Sequence, residues 1–278
     1  MNKKQSTYIL FLMLFLFLIA CEDNSKTVIF SAIGDVPYTL DDASALETNI
    51  IKHNKKDSTS FVIHLGDIKS GSTPCEEAIY INVSNILKKF SAPVYIIPGD
   101  NEYNDCKHPK EAFAFWNRYF FHFHENWSEN ANIQYQPAQK ENFAWREGHI
   151  LFVGLNLLGG RIHDSNEWQE RLNANAKWIE QSLKNNDKSI EAMVIFGHAN
   201  LQLKPEKYKI FTKKFRAIAA LFDKPILYLH GDGHVWIKDR PWKEQNILRV
   251  QVDAGAEILQ VTVNPDLPDP FRFTRSKK

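Results

Sequence analysis

Four Gly-Asp dipeptides each follow an apolar segment in this 278-residue chain. They are Gly34-Asp35, Gly66-Asp67, Gly99-Asp100 and Gly231-Asp232. One such pair would indicate a turn, but 12 glycines and 16 aspartates in random order would give fewer than one pair. A fifth apolar segment ends in Gly197-His198, and His234 comes two residues after Asp232. Carboxylates and imidazoles that converge on one point form a site for divalent metal ions.

The apolar segments alternate with amphipathic segments along the chain. The strand-like segments are Val28–Ile33, Phe61–Leu65, Val94–Ile97, Ile150–Leu155, Ala192–Phe196 and Ile226–Leu229. The helix-like segments are Ala43–Asn54, Glu76–Phe90 and Glu167–Lys184. This alternation predicts an α/β fold with crossover connections. Ligands bind at the carboxyl ends of the strands in such sheets, so the acidic and imidazole side chains are predicted to meet there.

The C-terminal part has a different pattern. Ile247–Val252 and Ala256–Val263 predict two strands, which we interpret as an antiparallel hairpin joined at Asp253-Ala254-Gly255. The aromatic-rich segment Phe113–Trp127 is interpreted as core with a loop packed on it, and a substrate lid is the alternative. No repeat, Gly/Ser linker or charge block divides the chain. A single domain over residues 27–273 and a tail over 274–278 are therefore predicted.

The ordered motifs resemble those of the calcineurin-like metallophosphoesterases. That family has the series DxH, GDxx, GNH[DE], GHxx and GHxH, each at a strand end. The matching segments are Asp35-Val36-Pro37, Gly66-Asp67-Ile68-Lys69, Gly99-Asp100-Asn101-Glu102, Gly197-His198-Ala199-Asn200 and Gly231-Asp232-Gly233-His234. The resemblance implies a metallophosphatase-type α/β sandwich of two mixed sheets flanked by helices.

The resemblance also implies a role for each matching residue. The implied ligands of two divalent metal ions are Asp35, Asp67, Asp100, His198, Asp232 and His234. Asp67 would bridge the two ions, Asp35 and His234 would complete the first site, and the other three ligands would complete the second. The implied catalytic positions are Asp67, Asn101 and His198. The family mechanism is attack on phosphorus by a metal-bound hydroxide.

Departures from the family pattern leave two functions open. Pro37 stands where the family has a metal-binding histidine, and Asn101 replaces a histidine but cannot act as an acid near neutral pH. Asp100 and Asp232 replace an asparagine and a histidine, and both keep an oxygen ligand. The favoured function is metal-dependent hydrolysis of a phosphorylated small molecule or ester. The alternative is a non-catalytic protein that binds metal, phosphate or a partner and holds one ion or none.

The charge of the predicted site favours particular ions. Its four aspartates carry a charge that two divalent ions only just cancel, and without cations they would repel one another. Because anionic ligands weaken the Lewis acidity of a bound ion, we expect an alkaline-shifted rate profile. Oxygen-rich ligand sets favour manganese, magnesium, calcium or iron over zinc.

Five further polar residues are weaker candidates. Glu102 either orients a metal ligand from behind or caps a helix. His64 is interpreted as a buried, hydrogen-bonded histidine, with contact to substrate phosphate as the alternative. Arg161 and His163 follow a predicted strand, where a solvated loop is favoured over a phosphate contact. Lys69 lies near the site or faces solvent.

The N-terminus has the pattern of a secretory signal. Lys3 and Lys4 precede the apolar run Tyr8–Ala20, which is too short to span a membrane comfortably. Leu18-Ile19-Ala20-Cys21 resembles the lipobox of bacterial lipoproteins, which implies cleavage before Cys21 and lipidation of that residue. We predict a signal peptide over 1–20, a tether over 21–26 and a lipid-anchored, extracytoplasmic protein of the bacterial cell envelope. A plain signal peptide or a single anchor helix is the alternative.

Charge and composition exclude several classes of protein. The chain is 44% hydrophobic and 24% charged, which excludes a disordered protein. Its net charge of +1 carries no nucleic-acid-binding signature. Without residues 1–20 the chain has 32 basic and 33 acidic residues, so only the anchor would hold it at a membrane.

Two cysteines remain if Cys21 is lipidated. Cys75 and Cys106 each follow one of the motifs within eight residues, so both are predicted on loops at the same end of a sheet. An even pair in an oxidising compartment predicts a disulfide. Two buried free thiols are the alternative.

Overall fold

The computed structural model describes residues 27–56, 59–128, 131–186 and 189–275. The predicted signal peptide, the tether with Cys21, and residues 276–278 of the predicted tail lie outside these residues. Among the helices it describes, none is both long enough and apolar enough to cross a membrane.

The first sheet has five strands and carries the N-terminal motifs. Its strands are β1 (Val28–Ile33), β2 (Val62–His64), β3 (Val94–Ile96), β11 (Leu259–Val263) and β12 (Phe271–Thr274). The strand order is β12-β11-β1-β2-β3. β1, β2 and β3 run parallel, whereas β11 and β12 add antiparallel strands at one edge. The carboxyl ends of β1, β2 and β3 therefore share one edge of the sheet, as the motifs required.

The second sheet has seven strands and carries the C-terminal motifs. Its strands are β4 (Gln134–Tyr135), β5 (Phe143–Glu147), β6 (Ile150–Gly154), β7 (Ala192–Gly197), β8 (Ile226–His230), β9 (Ile237–Asp239) and β10 (Ile247–Gln251). The strand order is β4-β5-β6-β7-β8-β10-β9. The four central strands are parallel, and β4, β5 and β9 are antiparallel to their neighbours. Both sheets are mixed, as predicted.

In the described part of the chain, five α-helices cover the outer faces of the two sheets. They are α1 (Leu40–Asn54), α2 (Glu77–Leu87), α3 (Pro109–Phe120), α4 (Ser165–Asn186) and α5 (Lys209–Phe222). The first three pack with the outer face of the five-stranded sheet, and α4 and α5 pack with that of the seven-stranded sheet. A third apolar cluster lies between the sheets. The fold is therefore a four-layer α/β sandwich of the predicted class.

The predicted C-terminal hairpin is wrong. β10 pairs with β8 and β9 in the seven-stranded sheet, whereas β11 pairs with β1 and β12 in the five-stranded sheet. All five residues of β10 are buried, which is typical of a strand covered on both faces. A terminal hairpin would leave one of these faces without cover, so the chain crosses between the sheets after β10 instead.

The aromatic segment is core, as interpreted from the sequence. It forms most of α3 and a 3₁₀ turn over Phe123–Asn126, rather than a lid. Trp116, Phe120 and Phe123 are buried in the cluster beneath α1 and α2. The helix was not predicted, because aromatic side chains carry little helix propensity of their own.

Phe61 lies at the centre of the aromatic packing between the sheets. Its ring stacks on Phe30 of the same sheet with centroids 4.9 Å apart. Across the interlayer, the rings of Trp145 and Phe152 meet it edge-on at 5.0 and 5.1 Å. Phe61 therefore joins the two halves that carry the motifs.

We expect Phe61→Ala to lower the free energy of unfolding by about 3–5 kcal/mol, because the cavity cannot close between two sheets. Urea denaturation measures this loss. The control is Leu221→Ala, whose side chain is 88% exposed at the end of α5 and should change stability by less than about 0.5 kcal/mol. A loss at residue 61 no larger than at residue 221 would contradict the central role of Phe61.

Candidate metal centre

Five strand ends bring the acidic and imidazole side chains to one edge of the sandwich. Asp35, Asp67 and Asp100 follow β1, β2 and β3 of the five-stranded sheet, and His198 and Asp232 follow β7 and β8 of the other. Asp35, Asp67, Asp100 and His198 are all at least 93% buried. The convergence predicted from the Gly-Asp pattern is therefore present.

Several of these residues have left-handed backbone conformations. The φ angles are +54° at Asp35, +60° at Asp67, +70° at Asp232 and +61° at His234. Such angles are uncommon outside glycine, cost of order 1–3 kcal/mol, and cluster at functional sites. The sharp turns direct successive side chains from the strand ends into the same small volume.

Two groups of side chains each place three donor atoms within 4.8 Å of one another. The first group is Asp35, Asp67 and His198, and the second is Asp100, His198 and Asp232. His198 Nε2 lies 3.4 Å from an Asp67 oxygen and 3.1 Å from Asp100 Oδ1. The imidazole, rather than Asp67, is common to both groups.

The tautomer of His198 suits metal binding. Its Nδ1 lies 2.8 Å from the Leu65 carbonyl oxygen, to which it donates. Nε2 therefore faces the carboxylates and is the nitrogen that a metal ion would bind. Neither His198 Nε2 nor Asp100 Oδ1 has a hydrogen-bond partner of acceptable geometry, although both atoms are fully buried. A cation between them would satisfy both atoms.

The pKa shifts of His198 and Asp100 indicate an excess of negative charge at the site. Burial opposes the imidazolium form, yet the adjacent Asp67 and Asp100 carboxylates raise the pKa of His198 well above its ordinary value. Burial also raises the pKa of Asp100. Without a cation, a proton on His198 offsets the carboxylate charge, and a divalent ion would replace that proton. The residues present therefore fit divalent metal ions.

Glu102 supports the site from behind. Its carboxylate accepts hydrogen bonds from the backbone N–H of Gly99 at 2.5 Å and from that of Asp67 at 3.1 and 3.2 Å. Burial, followed by the Asp67 charge, raises the pKa of Glu102 to about 8. Glu102 holds the turns that carry Asp67 and Asp100, and its bond to the Gly99 N–H also caps the helical turn Asp100–Asn104, so its contacts agree with both of its predicted roles.

Asn101 holds the Asp67 carboxylate. Its backbone N–H donates to Asp67 Oδ1 at 3.0 Å and its side-chain amide donates to Oδ2 at 2.5 Å.

The predicted disulfide between Cys75 and Cys106 is confirmed, with Cα atoms 6.0 Å apart. Its two sulfur atoms lie 3.6 and 3.5 Å from the Asn101 carbonyl oxygen. The cross-link thus packs directly against the residue that orients Asp67.

Close backbone approach explains two of the glycines at this edge. A Cβ atom on Gly231 would lie 2.5 Å from Asp35 Oδ2, and one on Gly159 would lie 2.8 Å from Asp100 Oδ1. The backbone N–H of Asp232 donates to the Asp35 carboxylate at 3.2 Å. This contact joins the turns of the two sheets.

Sequence reasoning missed Lys207, which supports the centre from the 3₁₀ turn Pro205–Tyr208. The Lys207 ammonium donates to the carbonyl oxygens of Gly159 and Gly160, the residues packed against Asp100. Its charge also acts on Asp100 and Asp232. No dipeptide pattern marks this lysine, because its contacts depend on tertiary packing.

Sequence reasoning also missed Tyr38. Its hydroxyl lies 3.3 Å from Asp35 Oδ1, 3.1 Å from Asp67 Oδ2 and 3.1 Å from His234 Nε2. Burial and the Asp67 and Asp35 charges raise the pKa of Tyr38 above its ordinary value.

The predicted ligand His234 is half-exposed, with Nε2 3.3 Å from Asp35 Oδ1. It lies beside the first group but outside both groups of close donors.

His64 and Lys69 are both buried. His64 Nε2 donates to the Val36 carbonyl at 2.9 Å and Nδ1 accepts from the Gly66 N–H at 3.2 Å, while burial lowers its pKa to about 4. This is the satisfied histidine interpreted from the sequence. Lys69 is 2% exposed, with Nζ 2.9 Å from the Ser70 carbonyl, so the solvent-facing alternative is wrong.

Arg161 and His163 lie on the loop that follows β6, and both contact the neighbouring turn at Asn104 and Asp105. The Arg161 N–H donates to Asp105 Oδ1 at 2.8 Å, and the arginine side chain is 71% exposed. His163 Nε2 lies 2.6 Å from the Asn104 carbonyl. Their described hydrogen bonds and ion pairs go to the Asn104–Asp105 turn, so the structure does not bring these two side chains into the donor groups.

Comparison with known proteins gives one family match. The sequence model of the calcineurin-like phosphoesterase family matches residues 30–236. This region contains every predicted metal ligand. No curated protein matches the chain.

Several solved structures share the fold at low sequence identity. A dimetal phosphatase from Danio rerio has a TM-score of 0.57 at 13% identity, over 90% of this chain and 99% of that one. A purple acid phosphatase from yellow lupin has a TM-score of 0.58 at 10% identity, over 90% of this chain and 51% of that one. GAP50, described as the anchor in the inner membrane complex of Plasmodium, has a TM-score of 0.54 at 8% identity, over 91% and 90%.

The left-handed turn at Asp232 gives a test of stored backbone strain. Without metal, we expect Asp232→Gly to be more stable than Asp232→Ala by about 1 kcal/mol, because only the alanine keeps a Cβ in a left-handed conformation. Urea denaturation in the presence of a chelator measures the difference, and both variants lose the same carboxylate. At Asp41, within α1, the order should reverse because glycine weakens a helix. If the glycine variant were the more stable one at both positions, the result would contradict backbone strain at Asp232.

Proposed function

This chain belongs to the calcineurin-like phosphoesterase family, and from that premise we propose that it is a lipid-anchored, extracytoplasmic enzyme with a two-metal centre that hydrolyses phosphoric esters. Family membership makes it a metal-dependent phosphoesterase. One observation carries the proposal for the centre. His198 Nε2 and Asp100 Oδ1 are fully buried among converging carboxylates, and neither atom has a hydrogen bond of acceptable geometry.

Six residues would hold the ions. They are Asp35, Asp67, Asp100, His198, Asp232 and His234, with Tyr38 beside the first three-residue group. Divalent cations bound there would polarise the phosphoryl oxygens and activate the attacking water. The oxygen-rich donor set favours manganese, magnesium, calcium or iron over zinc.

The protein's own part in the reaction is to hold these donors rigidly. Asn101 fixes both oxygens of Asp67, and Glu102 fixes the turns on either side of it. The hydrogen bond from His198 Nδ1 to Leu65 keeps Nε2 free of its proton once a cation is present. Asn101 cannot transfer a proton near neutral pH, so its amide would orient rather than protonate.

Hydrolysis of a chromogenic phosphomonoester and of a phosphodiester tests this proposal. We expect turnover that requires Mn²⁺ or another hard divalent ion and that increases toward alkaline pH. Asp67→Asn should lower the rate by more than the ~10–100-fold that loss of an outer-shell partner costs. Asp269→Asn makes the same charge change on an exposed residue outside the site and should leave the rate unchanged.

A non-catalytic binding protein is the second candidate. Pro37 supplies no side-chain donor, and Asn101 supplies no acid, which favours this candidate over an efficient hydrolase. Saturable binding of Mn²⁺ and inorganic phosphate, with no turnover of either ester across metals and pH, would favour it. Metal-dependent turnover abolished by Asp67→Asn would exclude it.

The proposed location rests on the N-terminal sequence and is supported by the Cys75–Cys106 disulfide, since disulfides persist in oxidising compartments. We expect the mature protein to begin at Cys21 and to carry lipid there. Intact-mass measurement of the membrane fraction checks this, and Cys21→Ser should release the protein from the membrane. An unmodified Cys21 in the mature chain would contradict the anchor, whatever the outcome of the hydrolysis assay.

A further inference from the structure

We propose that Tyr38 is a ligand of the first metal ion, an inference that rests on the proposed metal centre. Tyr38 belongs to none of the Gly-Asp or Gly-His motifs. It follows Pro37, which offers no donor group, in the turn between β1 and α1. This turn brings the phenol into the space that the motif residues surround.

Three donor atoms from three turns surround the Tyr38 hydroxyl. Asp35 Oδ1, Asp67 Oδ2 and His234 Nε2 lie 3.3, 3.1 and 3.1 Å from the phenol oxygen. His234 Nε2 and Asp35 Oδ1 are themselves 3.3 Å apart. Adjacent ligand atoms of an octahedral ion with bonds of about 2.1 Å lie about 3.0 Å apart. These four distances therefore match the spacing of adjacent ligands of one ion.

The phenol proton alone does not satisfy this arrangement. A phenol has one proton, so it can donate to only one of the two carboxylates within reach. The other carboxylate oxygen then lies little more than 3 Å from the phenol oxygen with no proton between them, and its hydrogen bond comes instead from the Asn101 amide at Asp67 Oδ2 or from the Asp232 N–H at Asp35 Oδ1. A cation among the four atoms could be bound by all of them at once, which the single phenol proton cannot.

The ring geometry of Tyr38 fits the same role. The Tyr38 and His234 rings meet edge-on with centroids 5.4 Å apart, so each ring restricts the other. His234 is half-exposed, and Tyr38 is half-buried. The phenol would thus complete the more open side of the first site. On coordination the O–H bond breaks, the oxygen lone pair binds the ion, and the proton passes to the buffer.

Titration of the metal-free full-length protein with Mn²⁺ tests this role without measuring activity. Wild type should bind two ions per chain and develop the near-ultraviolet difference spectrum of tyrosinate. Tyr38→Phe should lose that signal and bind one of the two ions at least tenfold more weakly. The control is Tyr119→Phe, which also removes a hydroxyl bonded to a carboxylate, here Glu77, but away from the centre. It should match wild type in both readouts.

Each outcome decides the inference. Unchanged affinity for both ions in Tyr38→Phe, or no tyrosinate signal in metal-loaded wild type, would overturn the role of Tyr38 and leave the proposed enzyme intact. The absence of the signal in wild type needs no variant, so that outcome overturns the role of Tyr38 even where Tyr38→Phe fails to fold. Failure of wild type to bind any ion would overturn the metal centre and the role of Tyr38 together.

Discussion

The hydrogen bond from His198 Nδ1 to the Leu65 carbonyl is the contact on which the metal centre depends. It joins the end of β7 in one sheet to the end of β2 in the other, at 2.8 Å and fully buried. By occupying Nδ1 it directs Nε2 at the carboxylates of Asp67 and Asp100. The sandwich packing, with Phe61 at its middle, holds the two sheets at the separation that this bond requires.

The metal centre contains several destabilising features, and the rest of the fold must offset their free energy. Buried carboxylates repel one another, and several of their residues are held in left-handed turns. Hydrogen bonds around the centre offset part of this cost. Glu102 accepts from two backbone N–H groups, and Asn101 donates to both oxygens of Asp67. Lys207 donates to the loop that packs against Asp100. Apolar clusters on both faces of each sheet make this possible, because they supply stability that does not depend on the site.

The sequence predicted those parts of the site that depend on local patterns. Gly-Asp pairs at strand ends identify Asp35, Asp67 and Asp100, because strand direction and turn chemistry are both local. The chain crossing after β10 was missed, because two apolar strands in sequence do not reveal which sheet each one joins. Tyr38 and Lys207 were missed for a related reason: their contacts come from turns distant in sequence, and neither residue belongs to a repeated motif. The disulfide was predicted because Cys75 and Cys106 are an even pair in a predicted oxidising compartment, and their places after two strand-end motifs put both on loops at the same end of a sheet.

The two donor groups differ in what surrounds them, and this difference bears on the loss of a side-chain donor at Pro37. The second group contains His198 and Asp100, which are buried and fixed by the strand ends of both sheets. The first group adjoins the half-exposed His234 and the turn of Tyr38. A donor lost at Pro37 can be replaced from the adjacent position in such a turn, because the open side tolerates a bulky ring. No adjacent residue has the same position at His198, which is fully buried, with Nδ1 bonded to the Leu65 carbonyl and Nε2 facing both Asp67 and Asp100.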